Sequence, residues 1–232
     1  MTTEKRSKLM LACTALLLAA MVTGGTLAYF FDQSTKVNNF TTAGTDNPDT
    51  GVDVDVEEPN FEVDEAQDAL PGDTIMKDPT VVNNRGDVYV RFVMELQEAS
   101  GATITDEARA NKILDMIVYS GGALDTDTSY SSDQIAGYPT VNEQFELDST
   151  RSSAGKYYYN YIGGTPEGIL TNGQKVTLFD FVVVPTDWTQ TDIAVVGNFN
   201  IVVTAQAIQA ENMTDANAAF DALDDEIANA GN

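Results

Sequence analysis

The side chains of this protein that could do chemistry are mostly carboxylates. The sequence holds 36 Asp and Glu residues against 12 Lys and Arg residues, and it contains no histidine. Zinc hydrolases bind their metal through histidine, cysteine and carboxylate, and serine or cysteine triads use histidine as their base. The single cysteine, Cys13, lies in an apolar N-terminal run. We therefore predict no catalytic site, no cofactor and no enzyme activity.

The most regular acidic segment has carboxylates at every second position. Asp53, Asp55 and Glu57 alternate with valines. Such a cluster invites a calcium site, but the segment lacks the central glycine and the closing glutamate of an EF-hand loop. No metal site is predicted. Two interpretations of the segment stay open, a strand with one acidic face and a solvated segment whose charges repel one another.

An arginine and a group of tyrosines are the other side chains that could bind a ligand. In so acidic a chain, we expect Arg91 to be exposed and to pair with an acid on a neighbouring strand. Tyr157, Tyr159 and Tyr161 alternate along one segment. They could form a sugar-binding platform, but aromatic residues packed within a sheet are the favoured interpretation.

The elements that position these side chains are predicted to be mainly strands. Alternating apolar residues bounded by turn signals predict strands over residues 80–83, 87–96, 156–162, 175–184 and 199–208. A turn at residues 84–86 would join the first two strands as a hairpin. The strand over residues 87–96 would have one buried face and one wetted face, which carries Arg91. Residues 120–133 are predicted to form a long surface loop.

Two short helices complete the predicted fold. Thr105 can cap a helix that ends near Leu114, and a C-terminal helix begins near Thr214 or Asp215. The C-terminal helix is amphipathic, with its acids opposite an apolar stripe. The stripe consists of Ala216, Ala219, Phe220, Leu223 and Ile227, and the acids are Asp221, Asp224 and Asp225. The pattern predicts a mainly β protein, a jelly-roll-type β-sandwich with two short helices.

The N-terminus has the features of an export signal. Three cations, Lys5, Arg6 and Lys8, precede 23 residues without charge, residues 9–31. Small residues at Thr26 and Ala28 predict cleavage between Ala28 and Tyr29, so the signal spans residues 1–28. The apolar run is long enough to span a bilayer, which leaves an uncleaved anchor as the alternative. After cleavage we expect no stable membrane anchor.

Three segments carry a resemblance to a known family. They are GGTLAYFFD at residues 24–32 with NFT at 39–41 and AG at 43–44, KDPTVVNNRGDVYVR at 77–91, and VTAQAIQAE at 203–211. The chain resembles the secreted biofilm-matrix proteins of the TasA and camelysin (CalY) family, which a signal peptidase of SipW type matures. Camelysin relatives are often labelled metallopeptidases, but the zinc ligands are missing here. Residues from about 100 to 185 carry no such resemblance.

The resemblance implies a structural role in extracellular fibres. In such fibres the N-terminal segment of one subunit completes the sheet of its neighbour by donor-strand exchange. The donor candidates here are Tyr29, Phe30, Phe31, Val37 and Phe40. The chain would then divide into the signal, a donor strand and acidic linker at residues 29–58, and a β-sandwich domain at residues 59–232. The alternative is that the segment folds back onto its own domain.

Charge narrows the range of partners. Removal of residues 1–28, which contain three cations and one acid, changes the net charge from −24 to −26. A protein of this charge repels nucleic acid and anionic membranes. We predict a secreted protein of the extracellular matrix or cell surface that self-associates into filaments. A cell-surface adhesion or ligand-binding module is the alternative, and a camelysin-like secreted peptidase is the third, less favoured class.

Overall fold

The computed structural model describes residues 30–31, 52–61, 66 and 69–230, and the chain is mainly β over these residues. The strands are β1 (Phe30–Phe31), β2 (Asp53–Glu57), β3 (Thr74–Met76), β4 (Thr80–Arg85), β5 (Val88–Gln97), β6 (Ile117–Val118), β7 (Phe145–Leu147), β8 (Lys156–Tyr161), β9 (Ile169–Leu170), β10 (Lys175–Thr177), β11 (Phe181–Val183) and β12 (Phe199–Gln209). The helices with described bounds are α1 (Glu107–Leu114), α2 (Ser132–Ile135), α3 (Gln190–Val196) and α4 (Ala216–Ala230).

The strands form one large sheet and two small ones around a shared core. The large sheet has the order β1-β12-β5-β8-β7, with β9 also pairing with β5. The small sheets have the orders β10-β4-β2 and β3-β11-β6. Val56, Phe92 and Val182, one from each sheet, belong to a single cluster of buried side chains. This arrangement confirms the predicted mainly β fold and is that of a β-sandwich.

Strand β5 lies at the centre of the large sheet and is buried on both faces. The prediction of one wetted face is wrong, because Tyr89, Arg91 and Val93 are buried as well as the core-facing residues. Helix α4 covers the second face. Its residues Ala219, Phe220 and Leu223 form a separate apolar cluster with Tyr89 and Ile208. The predicted apolar stripe of the C-terminal helix is confirmed by this packing.

Two predicted strand connections are wrong. The turn after β4 does not close a hairpin, because β4 and β5 belong to different sheets. Gly86 has φ +64°, and Asn83 donates from Nδ2 to its carbonyl at 2.7 Å, so the chain turns out of the small sheet there. The predicted strand over residues 175–184 is divided into β10 and β11, since Asp180 leaves the strand direction and accepts from Ser120 N at 2.8 Å.

The structure contains helices that the sequence pattern did not indicate. Helices α2 and α3 are short, with four and seven residues, and each begins with a capping box. Helix α1 was predicted, but Asp106 rather than Thr105 is its N-cap and accepts a hydrogen bond from Arg109 N. Residues 119–131 lie outside helices and strands, as expected for a surface loop, before α2 begins.

The acidic repeat is a strand. Strand β2 pairs antiparallel with β4, and Val52, Val54 and Val56 are buried while Asp55 and Glu57 are exposed. Of the two interpretations left open, the strand with an acidic face is therefore correct. Residues 53–57 belong to the small sheet β10-β4-β2. The predicted division of the chain at residues 28 and 58 stays a prediction.

Candidate functional site

Strand β12 lies next to the edge of the large sheet and is the part of the molecule best suited to bind another strand. It runs for 11 residues without a charged side chain. On the side away from β5, the described part of the chain provides only the two-residue β1, opposite Phe199 and Asn200. Long uncharged edge strands are templates for pairing because a row of backbone N–H and C=O groups faces outward.

Backbone hydrogen bonds identify the residues of β12 whose polar groups face outward. Leu96 lies opposite Ile201 in the ladder, but it donates to Gly155 O and accepts from Ile104 N, both at 2.8 Å. It therefore makes no ladder bond with Ile201. Because bonded and non-bonded pairs alternate in antiparallel strands, the odd-numbered residues of β12 direct their N–H and C=O groups away from β5.

The same odd-numbered residues have side chains in the core. Ile201, Val203, Ala205 and Ala207 are each at most 5% exposed. The alternation predicted for this strand is confirmed. A strand added along β12 would thus continue the large sheet, and one face of the added strand would lie over the core.

The structure brings two of the predicted donor residues to this edge. Phe30 and Phe31 form β1 and pair parallel with the start of β12 in the same chain, in the register Phe30 to Phe199 and Phe31 to Asn200. The other donor candidates, Tyr29, Val37 and Phe40, lie outside the described residues, as does the predicted cleavage position after Ala28. Within the described part of the chain, the intramolecular pairing covers the first two residues of an 11-residue edge.

The acidic strand β2 forms a second, different edge. Asp55 accepts from Asn84 Nδ2 at 3.0 Å, and Asp53 lies opposite Arg85. The Asp55 carboxylate therefore bonds within its own sheet. Among the residues that the structure describes, no group of three or more His, Cys, Asp or Glu side chains is arranged to hold a metal ion.

Arg91 is buried and contacts the C-terminal helix. The prediction that it is exposed and pairs with an acid on a neighbouring strand is wrong, because the side chain is 1% exposed and its acid, Asp224, lies on α4. Its Nε does reach across the strands, donating to Gln206 of β12 at 2.8 Å. The guanidinium carbon lies 5.0 Å from the Tyr158 ring centroid and 5.2 Å from that of Phe220.

A second arginine completes a clamp on α4. Arg151 donates from Nε to Asp224 at 2.7 Å, forms an ion pair with Asp148 at 2.6 Å, and also contacts Asp221. Burial alone would raise the pKa of Asp224, but hydrogen bonds from Arg91 and Arg151 outweigh it and hold the pKa below its usual value. The clamp, which we define as Arg91, Arg151 and Asp224, fixes α4 behind β12 and β5.

The tyrosine strand is part of the core. Tyr157, Tyr159 and Tyr161 are 8%, 6% and 3% exposed, which confirms packing within the sheet. Burial raises the pKa of Tyr159 and Tyr161 above the usual value. Phe145 contacts Tyr161 edge to face at 5.6 Å between ring centroids. This face of the strand is therefore not a sugar-binding platform.

Sequence reasoning missed two groups of charged side chains that the fold brings together. The clamp joins residues more than 70 positions apart in the chain. Lys77 and Glu58, 3% and 7% exposed, form an ion pair at 2.7 Å between the segments that follow β3 and β2. The only sequence signal for the clamp was that Asp224 lies beside the apolar stripe of α4, one residue from Leu223.

A cavity of about 360 Å³ lies beside the long loop. Its walls are residues 72–75 at the start of β3 together with the loop residues Thr126, Asp127 and Ser129. Thr74 Oγ1 donates to Thr128 O at 2.9 Å and holds the loop against the strand. The cavity is the structural feature closest to the ligand-binding alternative.

Comparison with known proteins identifies a family for the N-terminal half. Residues 4–117 match the family model described as "Camelysin metallo-endopeptidase". No curated protein and no solved structure matches the chain. Among the residues that the structure describes, no helix has the length and apolar character needed to cross a membrane.

The metal implied by that description does not fit the donor groups of this chain. Catalytic zinc sites use three protein ligands, in characterised enzymes mainly histidine with carboxylate or cysteine. The sequence has no histidine, and its one cysteine lies at position 13. The match extends from the N-terminus through β5 and α1 to the first residue of β6. Residues 4–117 are therefore similar to the camelysin family, in agreement with the resemblance that the sequence motifs carry.

Proposed function

We propose that the protein is a secreted structural subunit of extracellular biofilm-matrix fibres, and that its mature N-terminal segment is donated to β12 of a neighbouring subunit. One observation carries the proposal. The edge strand β12 is long and uncharged, and among the described residues only β1, from the predicted donor segment, pairs with its outer side, at its first two residues. Beyond them the odd-numbered residues of β12 direct backbone groups outward, to which a strand from another chain can bond.

The contact is head-to-tail by geometry. The donor comes from one end of the chain and the acceptor is a strand near the other end, so two different surfaces meet. Such heterologous contacts form open filaments unless the rotation between subunits closes a ring. Processing by a signal peptidase of SipW type would release Tyr29 as the first residue of the donor. Cleavage would then precede assembly.

The acidic character of the chain makes salt part of the proposal. Each mature subunit would carry a net charge of −26 after loss of residues 1–28. Subunits of like charge repel over about 8–10 Å at physiological ionic strength. We expect filaments to form more readily as salt rises, until screening is complete.

Deletion of residues 29–40 from the mature protein tests the proposal. Pelleting and electron microscopy should show filaments for the mature chain and none for the deleted chain. A peptide of residues 29–40 added in excess should cap the acceptor edge of intact subunits and shorten the filaments, whereas a peptide of the same composition in scrambled order should not. Filaments of normal length and yield from the deleted chain would contradict donor-strand exchange.

The cavity beside the long loop supports a second candidate, a ligand-binding module of the cell surface. Asp73 and Asp127 are among its lining residues. This function predicts a mature protein that stays monomeric at every salt concentration and binds a polar ligand such as a glycan. Glycan-array binding that Asp127→Ala abolishes, together with a monomeric elution volume, would favour this candidate over fibre assembly.

We do not assign the metallopeptidase activity that the family description names, because the sequence has no histidine and its one cysteine is Cys13, whereas characterised catalytic zinc sites mainly use histidine with carboxylate or cysteine. The expected result is that the purified mature protein leaves casein intact with or without added zinc. Casein cleavage that a chelator stops and zinc restores would overturn this view and return the chain to the enzyme class.

A further inference from the structure

The register of β1 on β12 determines which residues would share a face if the pairing were longer. Phe30 lies opposite Phe199 and Phe31 opposite Asn200 in a parallel pair. Paired residues of neighbouring strands place their side chains on the same face of a sheet. In a continued register, residue 32 would lie opposite Ile201 and residue 36 opposite Ala205, which are both buried.

That continuation would place charges in the core. Residue 32 is an aspartate and residue 36 is a lysine. An unpaired charge in an apolar environment costs far more than a backbone hydrogen bond contributes. The register found within the chain therefore cannot extend along β12.

The same segment can also pair with β12 in a register shifted by one residue, which keeps both of its charged side chains out of the core. We call the two registers frames, and in the odd frame the odd-numbered residues of the segment face the core. Because side chains alternate between the two faces of a strand, a slip of one residue exchanges the faces. The odd-numbered residues of the segment are all uncharged, and both of its charged residues are even-numbered. The odd-numbered residues are Tyr29, Phe31, Gln33, Thr35, Val37 and Asn39.

We propose that the donated strand binds β12 with its odd-numbered residues toward the core, one residue out of frame with the pairing that β1 makes within its own chain. This inference rests on the proposed function. Phe31 and Val37 would then be the side chains that determine specificity, packing beside the buried row of β12, while Phe30, Asp32, Lys36 and Phe40 face the other side. The choice of face holds whether the donor runs parallel or antiparallel.

The two frames also explain why exchange between chains can be favoured over self-pairing. The intramolecular frame pairs two described residues, and its continuation would place Asp32 opposite the buried Ile201. A donor free of its own domain can adopt the frame that pairs along most of β12. Each additional pair contributes hydrogen bonds and buried apolar area that the short intramolecular pairing lacks.

Neighbouring phenylalanines provide a matched test in the full mature chain. Phe31→Asp and Phe30→Asp make the same chemical change at adjacent positions, and both lie ahead of the sandwich domain, so folding of the domain serves as the shared control. We expect Phe31→Asp to lower the yield of pelleted filaments at least about tenfold. A tenfold change corresponds to a loss of about 1.4 kcal/mol in the free energy of each contact between subunits. Phe30→Asp should stay within about twofold of the parent. Val37→Asp and Phe40→Asp provide a second matched pair with the same expectation.

The outcomes separate this inference from the proposed function. A lower filament yield with Phe31→Asp and with Val37→Asp, but with neither of the other two variants, supports the odd frame. If Phe30→Asp and Phe40→Asp lower the filament yield more, or if all four variants lower it equally, the odd frame is wrong. Donor-strand exchange itself is not contradicted by either result. Normal filaments from all four variants and also from the chain lacking residues 29–40 overturn the frame and the proposed function together.

Discussion

The two strands β12 and β2 lie at or beside sheet edges and differ in nearly every property that controls pairing. Strand β12 has 11 residues and no charge, whereas three of the five residues of β2 are acids. Proteins protect exposed edges with short strands and charged side chains. Strand β2 has both protections and β12 has neither. On the proposed function, pairing with another chain is avoided at β2 and takes place at β12.

Introducing lysines on β12 should have the largest effect on filament assembly, because it would give β12 charged side chains like those that protect β2. Val202 and Thr204 are half-buried and face away from the core, so Val202→Lys with Thr204→Lys should leave the domain folded. A strand added at β12 would have to desolvate ammonium groups beside it, and we expect filament yield to fall about tenfold or more. Asp55→Lys on β2 is the control and should leave filaments unchanged. Equal losses in both would show that overall charge, and not the edge, controls assembly.

The clamp behind β12 can be broken at Asp224. Asp224→Ala leaves Arg91 buried with its charge uncompensated, whereas the carboxylate it removes is itself 41% exposed. We therefore expect a loss of about 1–3 kcal/mol in the free energy of unfolding, less than for a fully buried pair. Urea denaturation measures it. Asp225→Ala, an exposed neighbour on the same helix, should change the unfolding free energy by no more than about 0.5 kcal/mol.

Removing the acids of β2 should have a smaller effect in the opposite direction. Asp55→Thr with Glu57→Thr would give β2 an uncharged outer face like that of β12. Interactions between charged side chains on neighbouring strands contribute about 0.2–1 kcal/mol per pair. We therefore expect up to about a fivefold gain in association of subunits through the β2 edge. Light scattering at fixed protein concentration measures this. If scattering does not change, charge is not what protects the β2 edge.

Acid should weaken the clamp with a defined sign. The pKa of Asp224 is lowered in the folded state from its ordinary value of 3.8, so its contribution to stability is fully present above pH 3.8 and is lost as pH falls through the lower folded value. The groups that face it are Arg91 and Arg151, with Asp148 and Asp221 beside them. The difference in stability between the parent and Asp224→Ala should be constant from about pH 7 down to about pH 5 and should shrink as the pH falls further.

Sequence reasoning succeeded where one segment carries its own pattern. The alternation of β12 identified its buried row, and the apolar stripe of α4 identified Ala219, Phe220 and Leu223 as its packing face. It failed where the outcome depended on another segment. Arg91 was assigned to a wetted face because an isolated strand shows no sign that a helix more than 120 residues later will cover it.

The sequence by itself indicated the resemblance to the camelysin family, the mainly β class, the absence of histidine and the uncharged character of β12. These properties are local, since composition and alternation require no knowledge of neighbours. Only the tertiary structure decided that β4 and β5 belong to different sheets, that Asp224 reaches Arg91, and that β1 pairs with the start of β12. The reason is that pairing between distant segments depends on which of several compatible strands comes to lie alongside, and many strands here share the same two-residue period.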